Sequence, residues 1–450
     1  MTITSLVHGL GIAGAATARA MQRLGHRVVV TDDVIDDAKV AEAARLGLEI
    51  EQPPTNLDQF VRSFDLISPA PGVAESHPLI RAARSADRRI ASEIELAWMW
   101  ERERTGGARP MVAVTGTDGK TTTVSMVAAM LESAGRRTVA CGNTDTPLLD
   151  ALEMDVDVYV VECSSFRLAF TEEFHAEAAI WLNLAPDHLN WHDSMATYEA
   201  AKAKIFHQQT PGDVSIGNID DPIVRRHLAG SPGRKVSVGE GGDYRCIDGD
   251  LVCPAGVIIE AREMRRSLPH DISNGLAAAA SVLETGLATV DEVAGALAAF
   301  EAPAHRISLV GRVDGIECFN DSKATTPHAA LAAIRSFPSI VLIAGGRNKD
   351  LDLSVLAEAR DHIRGVIAIG EAAAEIEAVF APGVPVRHAG SMESAVRAAI
   401  EEASNGDVVL LSPACASFDW YPAGGYAARG EHFARVVNDL ARAGVMVKGA

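Results

Sequence analysis

The residues between positions 115 and 122, Thr-Gly-Thr-Asp-Gly-Lys-Thr-Thr, have the types and spacing of a phosphate-binding loop. In such loops backbone amides hold phosphates, a lysine reaches the transferred phosphoryl group and a hydroxyl binds Mg²⁺. Lys120 and Thr121 would take the last two roles here. Val114 stands where the strict motif has its first glycine, so this loop is a shortened variant. The other loop residues are Gly116, Thr117, Asp118, Gly119 and Thr122.

A second glycine-rich loop lies near the start of the chain, at Gly9, Gly11 and Gly14. It follows a predicted strand and opens a predicted helix, which is the context in which this spacing binds a nucleotide diphosphate. Asp32 and Asp33 end the next predicted strand, where a carboxylate would meet a ribose or a base. The motif alone does not identify the base. Two such loops suggest that one binds a nucleotide-carried substrate while the other binds ATP.

Three further side chains lie at or just after the ends of predicted strands, where α/β proteins bind ligands. Glu162 ends an apolar strand, a place that suits a Mg²⁺ ligand but also a helix cap or a solvated carboxylate. His188 follows the next strand and would ligate a metal, position a substrate or serve structure. Lys323 lies in a hydroxyl-rich turn that would hold a carboxylate substrate. The helical pattern around Lys202, by contrast, predicts a solvated lysine.

The elements that must position these groups follow an α/β pattern. Short apolar runs alternate with alanine-rich helical segments along the chain, which predicts parallel sheets. The polar stretch 101–110 is predicted to be a linker, Ala302 and Pro303 mark a second break, and glycine-rich turns at 229–249 indicate a small side sheet. The expected domains are 1–106, 107–304 and 305–450.

Composition excludes several classes of protein. The 450 residues suggest about three domains. A net charge of -19, without any Lys/Arg run longer than two, argues against a nucleic-acid partner. Six dispersed cysteines indicate free thiols in a reducing cytoplasm. The chain has no uninterrupted apolar segment of membrane-spanning length, so we expect neither export nor a membrane span.

Together these motifs resemble the Mur ligase family over essentially the whole chain. The Asp-Ser-Lys-Ala-Thr motif at 321–325 resembles the D-glutamate-adding members specifically. The motifs occur along the chain in the same order as in the family. The motifs lie at 9–14, 116–122, 162–166, 187–188, 200–202, 218–221, 270–274, 305–306, 320–325 and 411–417.

The resemblance implies three α/β domains: an N-terminal Rossmann-like domain for a UDP-linked substrate, a central P-loop ATPase-like parallel sheet with a side sheet, and a C-terminal Rossmann-like domain. It also implies a bacterial, cytoplasmic, monomeric enzyme of peptidoglycan precursor synthesis. Its activity would be ATP-dependent addition of D-glutamate to UDP-N-acetylmuramoyl-L-alanine through an acyl phosphate, with Mg²⁺. An N-acetyl and an N-glycolyl muramoyl substrate both fit these residues.

The resemblance also assigns residues. Those implied for the UDP substrate are Gly9, Gly11, Gly14, Asp32, Gly72, Asn143, Ser164 and Arg167. Those implied for ATP are the 116–122 loop with Asn274, Arg306 and Asp321, and those for D-glutamate are Lys323, Thr325, Lys349, Ser417 and Phe418. The catalytic set is Lys120, Glu162, His188 and Lys202. The metal set is Thr121 and Glu162 for one Mg²⁺, and His188 with Lys202, as an N-carboxylated lysine, for a second.

Four residues depart from the family pattern. Asp118 and Asp271 each replace a usual Asn, and Thr326 replaces a frequent Asn. Arg167 stands where Gln is common and would add a cation beside the expected muramoyl site.

Three other functions remain open at the level of the sequence. A folylpolyglutamate synthetase-like ligase would share the central loop but would not need the first glycine loop. An NAD-binding oxidoreductase or regulator would use that first loop. A degenerate relative would bind a UDP-sugar only as a sensor. Four retained residues argue against it: Lys120, Glu162, His188 and Lys202.

Overall fold

The computed structural model describes residues 3–189, 191–381 and 383–447. The chain forms two compact units. The first comprises Met1–Leu184, His188–Ser267 and Asp271–Phe300, and the second comprises Ala185–Asp187, Leu268–His270 and Glu301–Ala450. Each of the three ranges expected from the sequence contains a sheet of its own. The domain boundaries themselves stay a prediction.

The first sheet consists of five parallel strands in the order β3-β2-β1-β4-β5. The apolar run before the first glycine loop becomes its central strand, and Leu6 and Val7 are fully buried. The strands are β1 Thr4–His8, β2 Arg27–Thr31, β3 Ile50–Glu51, β4 Leu66–Pro69 and β5 Arg89–Ile90. The helices are α1 Ile12–Arg23, α2 Asp37–Arg45, α3 Leu57–Val61, α4 Pro78–Ser85 and α5 Glu93–Arg102.

The prediction of a linker over 101–110 is wrong at its start, because α5 continues to Arg102. Glu101 is only 2% exposed, and its carboxylate accepts hydrogen bonds from Arg109 through the backbone and the guanidinium at 2.8–2.9 Å. Burial disfavours the charged form of Glu101, but Arg109 outweighs burial and lowers the pKa of this carboxyl. Two of the polar residues in this segment therefore form a buried ion pair. Composition alone does not distinguish such a segment from an exposed linker.

The second sheet has six parallel strands in the order β11-β10-β9-β6-β8-β7, and a three-stranded antiparallel sheet, β12-β13-β14, accompanies it. The strands are β6 Met111–Thr115, β7 Thr138–Gly142, β8 Val158–Glu162, β9 Ala178–Trp181, β10 Val214–Asn218, β11 Arg234–Val238, β12 Arg245–Ile247, β13 Asp250–Cys253 and β14 Gly256–Glu260. The helices are α6 Lys120–Ser133, α7 Leu148–Ala151, α8 Ser165–Ala169, α9 Met195–His207, α10 Pro222–Gly230, α11 Pro269–Glu284 and α12 Val290–Ala299, with a 3-10 turn at Ala261–Glu263.

The side sheet exists, but its position differs from the predicted 229–249. It occupies Arg245–Ile247, Asp250–Cys253 and Gly256–Glu260. The earlier strand, β11, instead extends the parallel sheet beside β10, because Val236 and Val238 are buried in the core.

The third sheet, in the second unit, has the order β15-β16-β20-β17-β18-β19. It is parallel apart from β15, an edge strand that pairs antiparallel with β16 through a turn in which Asp314 and Gly315 both have positive φ. The strands are β15 Ser308–Val313, β16 Ile316–Asn320, β17 Ile340–Gly345, β18 Ile363–Ile369, β19 Val386–Ala389 and β20 Val408–Ala414. The helices are α13 Pro327–Ile334, α14 Ala373–Phe380, α15 Met392–Glu402 and α16 Gly425–Val447, with a 3-10 segment at Leu353–His362.

The expected α/β class with parallel sheets is confirmed. Within the described residues 3–189, 191–381 and 383–447, no helix is both long and apolar enough to cross a membrane. Parallel strands bring their carboxyl ends to one edge of a sheet, and α/β proteins bind ligands at that edge. Each sheet can therefore gather side chains from distant parts of the sequence.

The buried ion pair of Glu101 predicts a measurable effect on stability. Glu101→Gln removes the charge that compensates Arg109, so the free energy of unfolding should fall by about 3 kcal/mol in urea denaturation. Glu103→Gln, at an exposed position just beyond α5, is the matched control and should leave stability within about 0.5 kcal/mol of the wild type. Equal stabilities for the two variants would contradict the assigned role of Glu101.

Candidate active site

The phosphate-binding loop connects β6 to α6, as predicted. Gly119 precedes the helix with φ +84°, and a Cβ there would lie 2.7 Å from the Asn274 amide oxygen, so this position requires glycine. The loop is held by a residue to which the sequence assigned no role. Asn183, just beyond β9, accepts hydrogen bonds from the backbone amides of Thr117 and Asp118 at 2.9 Å each.

Two lysines meet at this loop. Lys120 Nζ donates to the carbonyl oxygens of Gly116 and Thr117 at 2.9 and 2.8 Å. Lys202 Nζ donates to the same Gly116 oxygen at 2.6 Å and lies 4.8 Å from the ring centre of Tyr198. Lys202 is 1% exposed, so the interpretation of its helix pattern as a solvated lysine is wrong. The ring of Tyr198 and the loop carbonyl stabilise a cation that burial would otherwise disfavour.

Glu162, at the end of β8, connects three segments. Its Oε2 accepts a hydrogen bond from Thr121 Oγ1 at 2.7 Å, and its Oε1 accepts one from Asn143 Nδ2 at 3.0 Å. Glu162 is 3% exposed. The hydroxyl and carboxylate oxygens are hard ligands of the kind that Mg²⁺ prefers. The strand end thus brings a candidate metal ligand to the first turn of α6.

His188 lies in the segment after β9 and has a left-handed backbone, with φ +58°. Its ring packs edge-on against Phe166, with ring centres 4.6 Å apart, and lies 6.1 Å from the Tyr198 ring. Tyr198 also contacts the phosphate loop, because its hydroxyl is 3.1 Å from Thr117 Oγ1. The first unit therefore gathers the loop, Glu162, Asn143, Lys202 and Asn274, with His188 beside their aromatic neighbours.

The first glycine loop follows β1. A Cβ at Gly14 would lie 1.9 Å from the Gly9 carbonyl oxygen, so helix and loop approach too closely for any side chain. Asp32 fixes the loop from the end of β2. Its carboxylate accepts from Leu10 N at 2.8 Å and from Lys39 Nζ at 2.8 Å. Burial works against its charge, but these bonds outweigh burial and lower the pKa of Asp32.

Arg167 does not add an uncompensated cation to the site. Its guanidinium forms a buried ion pair with Glu93 of α5, and the two residues are 5% and 3% exposed. Leu149 N also donates to Glu93 at 2.7 Å. Burial raises the pKa of Glu93, and Arg167 counteracts part of that effect. Ser164 caps the short helix α8 by accepting from Arg167 N, and Gly72 lies in the turn after β4.

Two of the other departures also have local partners. Asp271 is 1% exposed and accepts a hydrogen bond from Arg266 Nε at 2.6 Å, so its charge is compensated. Thr326 caps α13 by accepting from Ala329 N. Both substitutions therefore serve local structure.

In the second unit, the candidate D-glutamate residues follow strands that are neighbours in the sheet. Lys323 and Thr325 come after β16, and Ser417 and Phe418 come after β20, which pairs with β16. Lys323 Nζ lies 3.8 Å from the ring centre of Tyr426, and Phe418 is 55% exposed. Of the ATP candidates in this unit, Asp321 accepts a hydrogen bond from Ser412 Oγ at 2.8 Å, and Arg306 precedes β15. The D-glutamate candidate Lys349 follows β17.

Arg429 positions these segments, and the sequence did not single it out. This fully buried residue donates to the carbonyl oxygens of Ser322 at 2.9 Å and Cys415 at 3.1 Å, which joins the segments after β16 and β20. Burial lowers the pKa of Arg429 to about 10. The sequence around Arg429 on α16 contains no motif that would have indicated this role.

These features define a nucleotide-binding α/β protein of the phosphoryl-transfer class, with a phosphate loop whose threonine meets a strand-end carboxylate. The family model for the Mur ligase middle domain matches residues 114–282, and the model for the Mur ligase glutamate ligase domain matches 305–415. The chain belongs to the Mur ligase family.

Curated relatives match over nearly the full length. UDP-N-acetylmuramoylalanine--D-glutamate ligase of Frankia casuarinae is 42% identical, with 96% of this chain and 93% of the relative covered. The protein of the same name from Thermobifida fusca is 38% identical, with 97% and 98% covered. Among solved structures, MurF of Thermotoga maritima in complex with ADP has a TM-score of 0.61 at 16% identity, covering 94% of this chain and 91% of that one. MurC of Thermotoga maritima has a TM-score of 0.55 at 20% identity, covering 97% and 99%. These two structures support the fold.

The Glu93–Arg167 pair generates a prediction with a defined pH dependence. Arg167→Gln leaves a buried carboxylate unpaired and should lower the free energy of unfolding by about 3 to 5 kcal/mol at neutral pH. Because the pKa of Glu93 is raised in the folded state, protonation at mildly acidic pH removes the buried charge, and the loss should then shrink.

Urea denaturation at the two pH values measures this effect. The double variant Glu93→Gln/Arg167→Gln contains no buried charge at these positions and is the control; it should recover most of the stability of the wild type. A loss in Arg167→Gln that does not change with pH would contradict the assignment.

Proposed function

We propose that this chain is an ATP-dependent ligase that joins D-glutamate to the alanyl carboxylate of UDP-N-acetylmuramoyl-L-alanine in peptidoglycan precursor synthesis. The observation that carries the proposal is the occurrence of two glycine-rich loops of the nucleotide-binding type in a chain of which relatives named for this reaction match 96–97%. The proposal includes a cytoplasmic, monomeric enzyme, with residues 1–106, 107–304 and 305–450 serving the UDP substrate, ATP and the amino acid.

The phosphate loop supports a role in phosphoryl transfer. Reaction of a carboxylate with the terminal phosphate of ATP brings anions together, so catalysis depends on positioning and on compensating charge. Lys120 supplies a cation at the loop, and α6 directs its amino-terminal end toward the same place. Asn183 accepts hydrogen bonds from the Thr117 and Asp118 amides and so fixes the backbone of the loop.

The residues around Thr121 fit Mg²⁺. Thr121 and Glu162 offer a hydroxyl and a carboxylate oxygen 2.7 Å apart, and these two residues would hold the ion. Mg²⁺ bound there would offset the negative charge of the phosphates. Asn143 holds the other oxygen of Glu162 and so orients the carboxylate.

The proposal assigns His188 and Lys202 to a second Mg²⁺. As an ammonium group, Lys202 donates to the Gly116 carbonyl and cannot be a metal ligand. Addition of its unprotonated amine to CO₂, with release of a proton, would convert the cation into a carbamate anion that has oxygen ligands. Its burial beside a second lysine favours this change, since the carbamate removes the repulsion between two ammonium groups.

The subsequent chemistry follows from the substrates. The alanyl carboxylate takes the terminal phosphoryl group of ATP, ADP leaves, and an acyl phosphate forms. The amine of D-glutamate then attacks the carbonyl carbon, loses a proton, and phosphate leaves as the amide forms. Lys323, Thr325, Lys349, Ser417 and Phe418 are proposed to hold D-glutamate. The common sheet edge of β16 and β20, joined by Arg429, supports this assignment.

The Gly9–Gly14 loop with Asp32 is proposed to hold the uridine diphosphate, and Gly72, Asn143, Ser164 and Arg167 to face the rest of that substrate. The close approach of Gly14 to Gly9 supports this role, because it places backbone amides at the start of α1, where a diphosphate binds. Asn274, Arg306 and Asp321 complete the proposed ATP set.

Removal of the Lys120 cation tests the phosphoryl-transfer role. Lys120→Ala should lower kcat for phosphate release by at least about 100-fold, while its thermal unfolding stays close to that of the wild type. Lys235→Ala, at an exposed position on β11, is the control and should retain full activity. Full activity in Lys120→Ala would refute the assignment of the loop.

Substrate dependence tests the reaction itself. Phosphate release from ATP should require both UDP-N-acetylmuramoyl-L-alanine and D-glutamate, and L-glutamate and meso-diaminopimelate should not replace D-glutamate. Release with another amino acid would retain the ligase chemistry but refute the role of Lys323 and its neighbours. Binding of NAD rather than UDP, without phosphate release, would favour the oxidoreductase or regulator alternative.

A further inference from the structure

Three potential metal ligands meet at the carboxyl edge of the first sheet. His8 ends β1, Asp33 follows β2, and His77 directly precedes α4. One ligand atom from each of these side chains lies within 4.8 Å of the others. The two imidazole rings have centres 4.9 Å apart. The family resemblance assigned none of the three to a site, but the sequence places Asp33 where a carboxylate would meet a ribose or a base, and His8 directly precedes Gly9 of the proposed diphosphate loop.

His8 has the environment of a metal-binding imidazole. It is 1% exposed, and its Nδ1 is bonded to Thr31 Oγ1 at 3.0 Å, which fixes the ring. The other nitrogen, Nε2, lies 3.6 Å from Asp33 Oδ1. Burial lowers the pKa of His8 although Asp33 acts in the opposite direction, and this direction favours the neutral imidazole that ligates metals.

His77 presents Nε2 to the other oxygen of the same carboxylate, at 2.9 Å from Asp33 Oδ2. Its Nδ1 accepts a hydrogen bond from Leu79 N at 3.2 Å, so the proton of the neutral ring lies on Nε2, between the ring and Asp33. Metal binding would move that proton to Nδ1 and break the long bond from Leu79. The amide freed belongs to the buried residue Leu79 in the first turn of α4, so metal binding costs the energy of this hydrogen bond.

The neighbouring Asp32 does not compete for this position. Its two oxygens are occupied by Leu10 N, Val34 N and Lys39 Nζ. Asp33, with 55% of its side chain exposed, is therefore the carboxylate that can move toward an incoming ion.

We propose that His8, Asp33 and His77 bind a first-row transition-metal ion such as Zn²⁺. Two imidazoles and one carboxylate favour Zn²⁺ and similar ions over Mg²⁺, which prefers oxygen ligands. Zinc bonds of about 2.0–2.2 Å require only a small approach of the three side chains. Three protein ligands leave a fourth position open, as in zinc sites that bind water or a substrate group. This site is separate from the proposed Mg²⁺ ligands after β6 and β8.

Calorimetric titration of the full-length protein with Zn²⁺, in excess Mg²⁺, tests the proposal. The wild type should bind one more Zn²⁺ than Asp33→Asn or His77→Gln, or bind it at least about 10-fold more tightly, since even indirect changes around a metal site cost that much. Asp37→Asn and His26→Gln alter a carboxylate and an imidazole of the same sheet region outside the cluster, and both should retain wild-type binding. Identical sites and affinities in all five proteins would overturn the proposal.

Co²⁺ provides a readout that a merely structural role would not change. The wild type and the two controls should show the visible absorption of a low-coordinate Co²⁺ site, and Asp33→Asn and His77→Gln should lack it. Thermal unfolding without added metal establishes that the variants are folded, which the exposure of Asp33 favours. Retention of the absorption in folded Asp33→Asn and His77→Gln would place the ion elsewhere and refute the site.

Discussion

The carbonyl oxygen of Gly116 accepts hydrogen bonds from two ammonium groups, those of Lys120 and Lys202. Two cations at one oxygen repel each other, and the cost is high because Lys202 is buried. Such a pair is stable where an anion is bound between them or where one of them loses its charge. The same electrostatic constraint is the physical basis of the proposed phosphate site and of the proposed carboxylation of Lys202, and it provides local positive charge for ATP on a chain of net charge -19.

The backbone around this point is shaped by groups from other strands. Asn183 holds two loop amides, while Glu162 joins the start of α6 to Asn143. These contacts are available because β6, β8 and β9 are parallel neighbours, so their carboxyl ends meet. Arg429 performs a comparable task in the second unit, where it joins the segments that follow β16 and β20.

The sequence predicted what local rules determine and missed what depends on tertiary partners. Glycine spacing and apolar runs located both loops and the strands before them. The same rules assigned Lys202 to solvent, since the amphipathic pattern of its helix does not reveal that Tyr198 and the Gly116 carbonyl bury it. Asn183 lies just beyond a strand, but only the strand order shows that it reaches the loop after β6. Likewise, nothing near Arg167 in the sequence indicates Glu93, 74 positions away, as its partner.

Three of the departures from the family pattern are compensated by a local partner. A buried charge is tolerated when a partner compensates it, and removal of one partner costs more than the pair contributes. Arg167 is matched by Glu93 and Asp271 by Arg266, while Thr326 keeps the hydrogen-bonding function of a helix cap. Each of these three changes is thus compensated beside the residue that changed. Thr121 and Glu162 are bonded to each other and to Asn143, so these three changes leave the proposed Mg²⁺ ligands in place.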